Sequence, residues 1–322
     1  MLQHLQTRLG RLPTPLAGLA LAIASLGWCL ENALPFDGAA KQSGALIAAL
    51  LLAPLTLKFI RFPRLLWQDL SHPVVGSVVP TLAMGWMVVS HALGRLFPAA
   101  GVVLWLLAIG LHVLFLLSFI FHRLRDFNLQ QLVPGWFVPP VGLIVADVAV
   151  PGHDWLPLAT LILDFGLICY AVMLPLMLFR LIFGQTVPTA AQPTIAILAA
   201  PASLSLAGYL TVNQQPSILL VGLLAGIALL MTALIYVSFL SLLRLPFNPG
   251  YAAFTFPMVI GATALFKLAH QCQLWGLDSE QLSWILTLAH LELLVATLVV
   301  GYVALRYLCH YAPCWRPGHL TA

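Results

Sequence analysis

Long uninterrupted apolar stretches, of about 18 residues or more, recur along almost the whole chain, and each has the reach of a bilayer-crossing helix. An outer-membrane barrel would need apolar residues at every second position, whereas here they are contiguous. Composition closes most other routes. The 322 residues are 61% hydrophobic and only 7% charged, with a mean hydropathy of +1.00. A soluble domain carries about 25% charged residues. Ionic groups this sparse do not cover a water-facing surface, which excludes an ordinary cytosolic enzyme, a nucleic-acid binder and a disordered protein. The remaining class is an all-α, polytopic membrane protein with a single transmembrane domain over residues 1–322.

Ten spans are expected, at approximately 14–30, 43–60, 73–93, 98–122, 134–150, 155–182, 192–212, 217–243, 249–269 and 281–308. The stretch from Met1 to Arg11 is basic and precedes an apolar run, as in a signal peptide. That run ends in Trp28, Cys29, Leu30 and Glu31 rather than at a small-residue cleavage site, so it is read as the first membrane helix. With ten spans, Arg8, Arg11, Lys58, Arg61, Arg64, Arg123, Arg125, Arg180, Arg244, Arg306 and Arg316 fall on one side. Only Lys41, Arg95 and Lys267 fall on the other. The positive-inside rule then places both termini in the cytoplasm of a bacterial inner membrane. Five cysteines (Cys29, Cys169, Cys272, Cys309, Cys314) form no CxxC pair, and their odd number argues against a disulfide framework.

A repeat underlies the spans. Pro13, Pro73, Pro134, Pro193 and Pro249 open the odd-numbered helices at intervals of 60, 61, 59 and 56 residues. Proline suits a first helical turn, where its missing N–H would be unpaired in any case. Pro80, Pro140, Pro201 and Pro257 follow six to eight residues later and interrupt four of these helices. The even-numbered helices are longer and richer in leucine. The repeating unit is therefore a hairpin of one kinked, small-residue helix and one greasy helix. Five copies imply kinked helices inside and leucine-rich helices facing lipid, because freed backbone groups are tolerated in a membrane only against protein or a watery cavity.

Short motifs add a resemblance. They are Leu12 to Gly18 (LPTPLAG), Arg61-Phe62-Pro63 with Ser71-His72-Pro73, Pro201-Ala202 before Tyr209 to Asn213, and Pro246-Phe247-Asn248 before Ala253 to Phe256. In order and spacing, from about residue 12 to 308, they resemble the tellurite-resistance/dicarboxylate transporter family of TehA-like proteins and plant slow anion channels. The resemblance implies five hairpins around a central pore, a homotrimer, and a mid-pore phenylalanine gate on the ninth helix. That gate falls on Phe256, with Phe254 as its competitor. The chain departs from the family in its apolar run Val138 to Leu143 in helix five, and in Pro257, where bacterial relatives carry glycine.

Anion passage calls for partial positive charge without a tight trap, which broken helices supply through exposed N–H groups and dipoles. The candidate pore-lining residues are Gly18, Gly76, Pro80, Thr81, Pro140, Gly142, Thr194, Pro201, Ser203, Pro257 and Gly261; tight helix packing would equally explain the small ones. Ionisable groups inside spans are costly and invite a function. Asp164, Glu292, His112 and His290 all lie on even-numbered helices, which favours interhelical or trimer contacts, although His290 and Glu292 could instead relay protons with Asp164. Asp147 lies near the outer end of helix five. Lys267 either draws anions to the outer mouth or snorkels to the interface. Lys58, Arg61, Arg64 and His72 concentrate anions at the inner mouth or simply fix topology.

The leading functional expectation is a channel or transporter for small anions, with the lipid bilayer as its setting and neither nucleic acid nor a cofactor as a partner. The resemblance supplies chloride, nitrate, sulfite, malate-like dicarboxylates and tellurite as substrates, and the nearest alternative is a proton-coupled C4-dicarboxylate/tellurite or sulfite carrier. A different class, a membrane redox protein with haem or quinone, is raised by ten histidines. Haem needs facing axial ligands at depth, and only His112 and His290 sit deep enough. A Soret band would decide for it. No P-loop, HExxH or GxSxG motif is present.

Overall fold

The computed structural model describes residues 9–311; Arg8, Cys314 and Arg316 lie outside the described residues. All regular structure among the described residues is helical. In chain order the α-helices are α1 Leu16–Leu30, α2 Ala39–Arg61, α3 Pro63–Ser71, α4 Val75–Val78, α5 Thr81–Leu96, α6 Pro98–Arg125, α7 Val138–Val141, α8 Val145–Val148, α9 Leu156–Phe183, α10 Ala200–Val212, α11 Ile218–Leu242, α12 Thr255–Leu274 and α13 Ser279–Tyr311. Short 3₁₀ segments adjoin four of them, at Pro134–Phe137, Gly142–Ile144, Gln192–Ala199 and Pro249–Phe254.

Eight helical stretches are long and apolar enough to cross a membrane, against the ten expected. The other two apolar segments are shorter, Leu16–Leu30 and Pro134–Val148. Proline chemistry explains both. Pro13 and Pro15 delay the start of α1. Pro134, Pro139 and Pro140 break 134–148 into alternating 3₁₀ and α turns. The sequence reading also treated 61–73 as a plain connection, but α3 occupies it and packs on α2, α4 and α6.

Burial divides the helices into two kinds. Within the most apolar windows of Val75–Leu96, Gln192–Val212 and Pro249–Leu274, 72% or 78% of residues are buried. The windows of the leucine-rich helices are 28% or 39% buried. The outward faces of the latter carry Leu50, Leu107, Ile168, Leu219 and Leu298, all exposed. In water such surface would drive aggregation; in a bilayer it is the lipid-facing coat. The helices that follow the proline-marked starts, α1, α5, α10 and α12, pack on one another at the centre.

The bends do not leave their carbonyls empty. His112 Nε2 on α6 is 2.8 Å from Pro139 O, and Trp105 Nε1 donates to Ala146 O at 3.0 Å. Trp136 Nε1 donates to Pro73 O at 3.0 Å. Each is a side chain spent on a carbonyl that broken helical geometry strands in an apolar medium. His112 is thus occupied structurally. Two arginines act in the same way. Arg123 reaches Ser71 O and Gln131 Oε1, and Arg180, 1% exposed, reaches Gln130 O and Gln185 O.

Two glycines are dictated by close approach and turn geometry. A Cβ on Gly27 would stand 2.4 Å from Ala40 O and 3.1 Å from the Gly44 Cα, so α1 and α2 touch backbone to backbone. Gly38 begins α2 at φ 91°, in the left-handed region. We expect Gly27→Val to cost about 3 kcal/mol through forced separation of this pair. Thermal unfolding in detergent, followed by size-exclusion chromatography, checks it: a midpoint lowered by several degrees is expected, and an unchanged midpoint would contradict the packing argument.

Candidate functional site: a central cavity

A cavity of about 450 Å³ lies among the buried helices, lined by five proline-marked stretches of chain together with Lys58 and Asp69. The first gives Pro13, Pro15, Gly18 and Leu21, and the second gives Val74, Val78, Thr81 and Met84. The third gives Phe137, Val141 and Gly142, the fourth Thr194, Pro201 and Leu204, and the fifth Ala252, Phe256 and Pro257. These are the proline-marked stretches of all five repeats. The helices α1, α5, α10 and α12 start at the wall and run away from it, so their N-terminal dipole ends face the same space. Local geometry follows from the sequence. At Gln192–Ala199 and Pro249–Phe254 the chain winds as tight 3₁₀ turns before opening into α-helix at Ala200 and Thr255, with Pro201 and Pro257 in the first α turns. Hydroxyls close the carbonyls at the transitions: Thr81 Oγ1 donates to Val78 O at 2.7 Å, Thr194 Oγ1 to Ala191 O at 2.7 Å, and Thr255 Oγ1 to Ala252 O at 2.6 Å.

Phe256 lies in the wall at 8% exposure. Further along the same stretches, Met87, Ile144 and Ile260 are 0%, 0% and 3% exposed and do not line the cavity. Phe254 is elsewhere. It is fully buried, with its ring edge-on to Phe239 at 5.5 Å and tilted against Tyr251 at 4.8 Å, and it does not line the cavity. Of the residues singled out by sequence, Gly18, Thr81, Gly142, Thr194, Pro201, Pro257 and Phe256 share the wall. Gly76, Pro80 and Pro140 do not line it; Gly76 instead lets the chain pass the Leu70 carbonyl, which an added Cβ would approach to 2.5 Å. Ser203 and Gly261 line a separate small void beside Glu292.

The wall carries one charged pair, which sequence reasoning found only in half. Lys58 Nζ donates to Leu12 O at 2.8 Å and to Thr14 Oγ1 at 3.3 Å, and stands 3.9 Å from Asp69 Oδ2. Thr14 Oγ1 donates to that same carboxylate oxygen at 2.5 Å. Lys58 came from the basic cluster; Asp69 and Thr14 were missed, the available signal being an acid on a short amphipathic stretch. Arg61 and Arg64 are exposed and away from the wall, and His72 caps a turn by accepting from the N–H groups of Val74 and Val75.

The in-span acids separate into two neighbourhoods. Asp147 is 0% exposed, neither of its carboxylate oxygens has a hydrogen-bond partner among the described residues, and the charge of Asp164 acts on it. Asp164 itself is exposed on α9. Glu292, 4% exposed, presses its carboxylate against Gly261 of α12, where an added Cβ would be 2.6 Å from Oε2. His290 is exposed on α13, edge-on to Phe266 at 5.2 Å, with Nδ1 2.6 Å from Leu286 O.

Among the described residues, a helical bundle with apolar outward faces and a central cavity defines the class, a multi-pass membrane protein, and the family and relatives below make it one of the channel or transporter kind. Comparison makes this particular. The chain belongs to the SLAC1 family, described as voltage-dependent anion channel, whose model matches residues 15–308. The resemblance carried by the short motifs is therefore family membership. Two curated relatives are uncharacterized transporters of Methanocaldococcus jannaschii. One is 28% identical over 233 residues, 63% of this chain and 66% of its own length. The other is 29% identical over 238 residues, 66% of this chain and 69% of its own. The match thus spans about two thirds of the length of each relative.

Proposed function

We propose that the protein conducts small anions through the central cavity and that Phe256 is the gate. The observation carrying this reading is the cavity wall: all five proline-marked stretches meet there, and the Phe256 ring stands among them. Ten crossings, as five hairpins, form the path once Leu16–Leu30 and Pro134–Val148 are counted with the eight longer stretches. An apolar ring closes such a route by dewetting, while four helix N-termini bias it toward negative ions. The charge asymmetry of the connections supports cytoplasmic termini in a bacterial inner membrane, with the Lys58 side of the cavity facing the cytoplasm. A homotrimer rests on the family resemblance alone. Chloride, nitrate, sulfite, malate-like dicarboxylates and tellurite are the substrates to test.

The measurement is planar-bilayer current with chloride, nitrate, sulfite and malate at two pH values. We expect a reversal potential that follows the anion gradient and a flux independent of pH. Cation-selective current, or none from correctly inserted protein, would refute the reading. A proton-coupled carrier of C4-dicarboxylate, tellurite or sulfite is the second reading, favoured by one observation: Glu292 is buried directly against α12, the helix that bears Phe256. A flux that rises steeply with an imposed proton gradient would select it.

A further inference from the structure

We propose that the outer end of the same axis carries an anion-binding site in which Lys267 takes the ion, Lys41 and Arg95 supply the field, and the stacked Trp28–His91 pair forms the floor. The inference rests on the conduction reading for its purpose, but not for its geometry. Trp28, His91 and Lys267 lie 10, 10 and 11 residues beyond the wall residues Gly18, Thr81 and Phe256 on α1, α5 and α12. At 1.5 Å per residue that is about 15 Å on each helix, so the three reach one level. They also converge. The Trp28 and His91 rings stack at 4.1 Å, Lys41 Nζ lies 4.0 Å over the Trp28 ring, and His91 Nδ1 is 3.4 Å from Ala149 O, just after α8. His91 lies within electrostatic reach of Lys41, Lys267 and Arg95 together. Four of the five repeats contribute to this one point.

The charge balance there is positive. Lys41, Arg95 and Lys267 are the only three basic residues expected on the outer face; Lys41 lies over the Trp28 ring, Arg95 over Gly38, and each of the three acts electrostatically on His91. The nearby acid is Glu31, whose carboxylate is spent on backbone: it accepts from the N–H of Gly38 at 2.8 Å and of Lys41 at 3.0 Å. Desolvation pushes the Glu31 carboxyl up, but these N–H groups, that of Ala40 and the Arg95 charge outweigh it and hold the group below the ordinary carboxylate range. The Arg95 guanidinium lies over Gly38, where an added Cβ would meet Nη1 at 2.2 Å. Lys267 is half-buried and makes no hydrogen bond or ion pair among the described residues. A partly desolvated ammonium that shares the His91 neighbourhood with two further cations, and has no carboxylate of its own, fits a small anion such as a halide, or a phosphate or carboxylate group, from solution or from a lipid headgroup.

Iodide quenching of tryptophan emission tests the site without requiring transport. The protein is placed in phosphatidylcholine nanodiscs, and the Trp28 contribution is taken as the difference from Trp28→Phe. We expect Trp28 quenching to saturate with iodide and to be competed by chloride. Lys267→Gln should raise the half-saturating iodide about threefold, and Lys267→Arg should restore it. Quenching that is linear in iodide and equal in Lys267→Gln would overturn the proposal. Loss of saturable, Lys267-dependent quenching when phosphatidylglycerol is added would uphold the site and identify a lipid headgroup as its occupant. Saturable, Lys267-dependent quenching in a protein that passes no anion current would leave the site standing and remove the conduction reading.

Discussion

Phe256→Ala should raise single-channel or macroscopic anion current by about tenfold or more, because it removes the ring proposed as the gate from the wall of an already formed cavity. The space on the near side measures about 450 Å³ and needs no rearrangement to hold hydrated ions. Phe256 keeps 8% exposure toward it, so truncation widens a wall rather than hollowing a core. Phe254→Ala is the matched control. That ring is fully buried against Phe239 and Tyr251, and its loss should cost about 3–5 kcal/mol of stability while adding no current. Current and melting midpoint, measured on both variants at equal surface density, separate the two roles. Gain of current in Phe254→Ala alone would move the gate; gain in neither would remove it.

Why sequence left these two phenylalanines unresolved is a matter of angle. Proline spacing marks positions along the chain but says little about direction around a helix. Residues 254 and 256 straddle a 3₁₀-to-α junction, and two α-helical steps of 100° turn a side chain by about 200°. One therefore faces the cavity when the other faces α11. The same blindness applies to Ser203 and Gly261, which share the small-residue character of the wall yet turn toward Glu292. It applies also to Gly76, which serves a close backbone pass. By contrast, helix class, membrane setting and the two kinds of helix were legible, because they depend on apolar run length and on proline, both one-dimensional signals. The Lys58–Asp69 pair was only half legible, since its acid lies on α3, a nine-residue helix whose placement depends on tertiary packing.

That pair sets the second large effect. Lys58 and Asp69 both line the cavity, with side-chain exposures of 7% and 26%. Paired, they present an entering ion with a dipole of little net charge. Lys58→Met leaves the Asp69 carboxylate held by Thr14 and unopposed, so the wall becomes negative. At about 5 Å and an effective dielectric constant between those of water and a protein surface, one unit charge is worth roughly 1–3 kcal/mol to a passing anion, or about thirtyfold in rate at the middle of that range. We expect anion current to fall by about that factor. Asp69→Asn does the reverse: Lys58 keeps its bonds to Leu12 O and Thr14 Oγ1, the wall gains a net positive charge, and current should rise severalfold. Breaking a buried pair also destabilises the fold, so current alone does not isolate the field. The sign does. A purely structural loss lowers current in both single variants, whereas an electrostatic one splits them and returns Lys58→Met/Asp69→Asn toward the parent. The reversal potential in a salt gradient should move with it, less anion-selective in the first variant and more so in the second. Equal selectivity in all four proteins would mean that ions do not pass this wall.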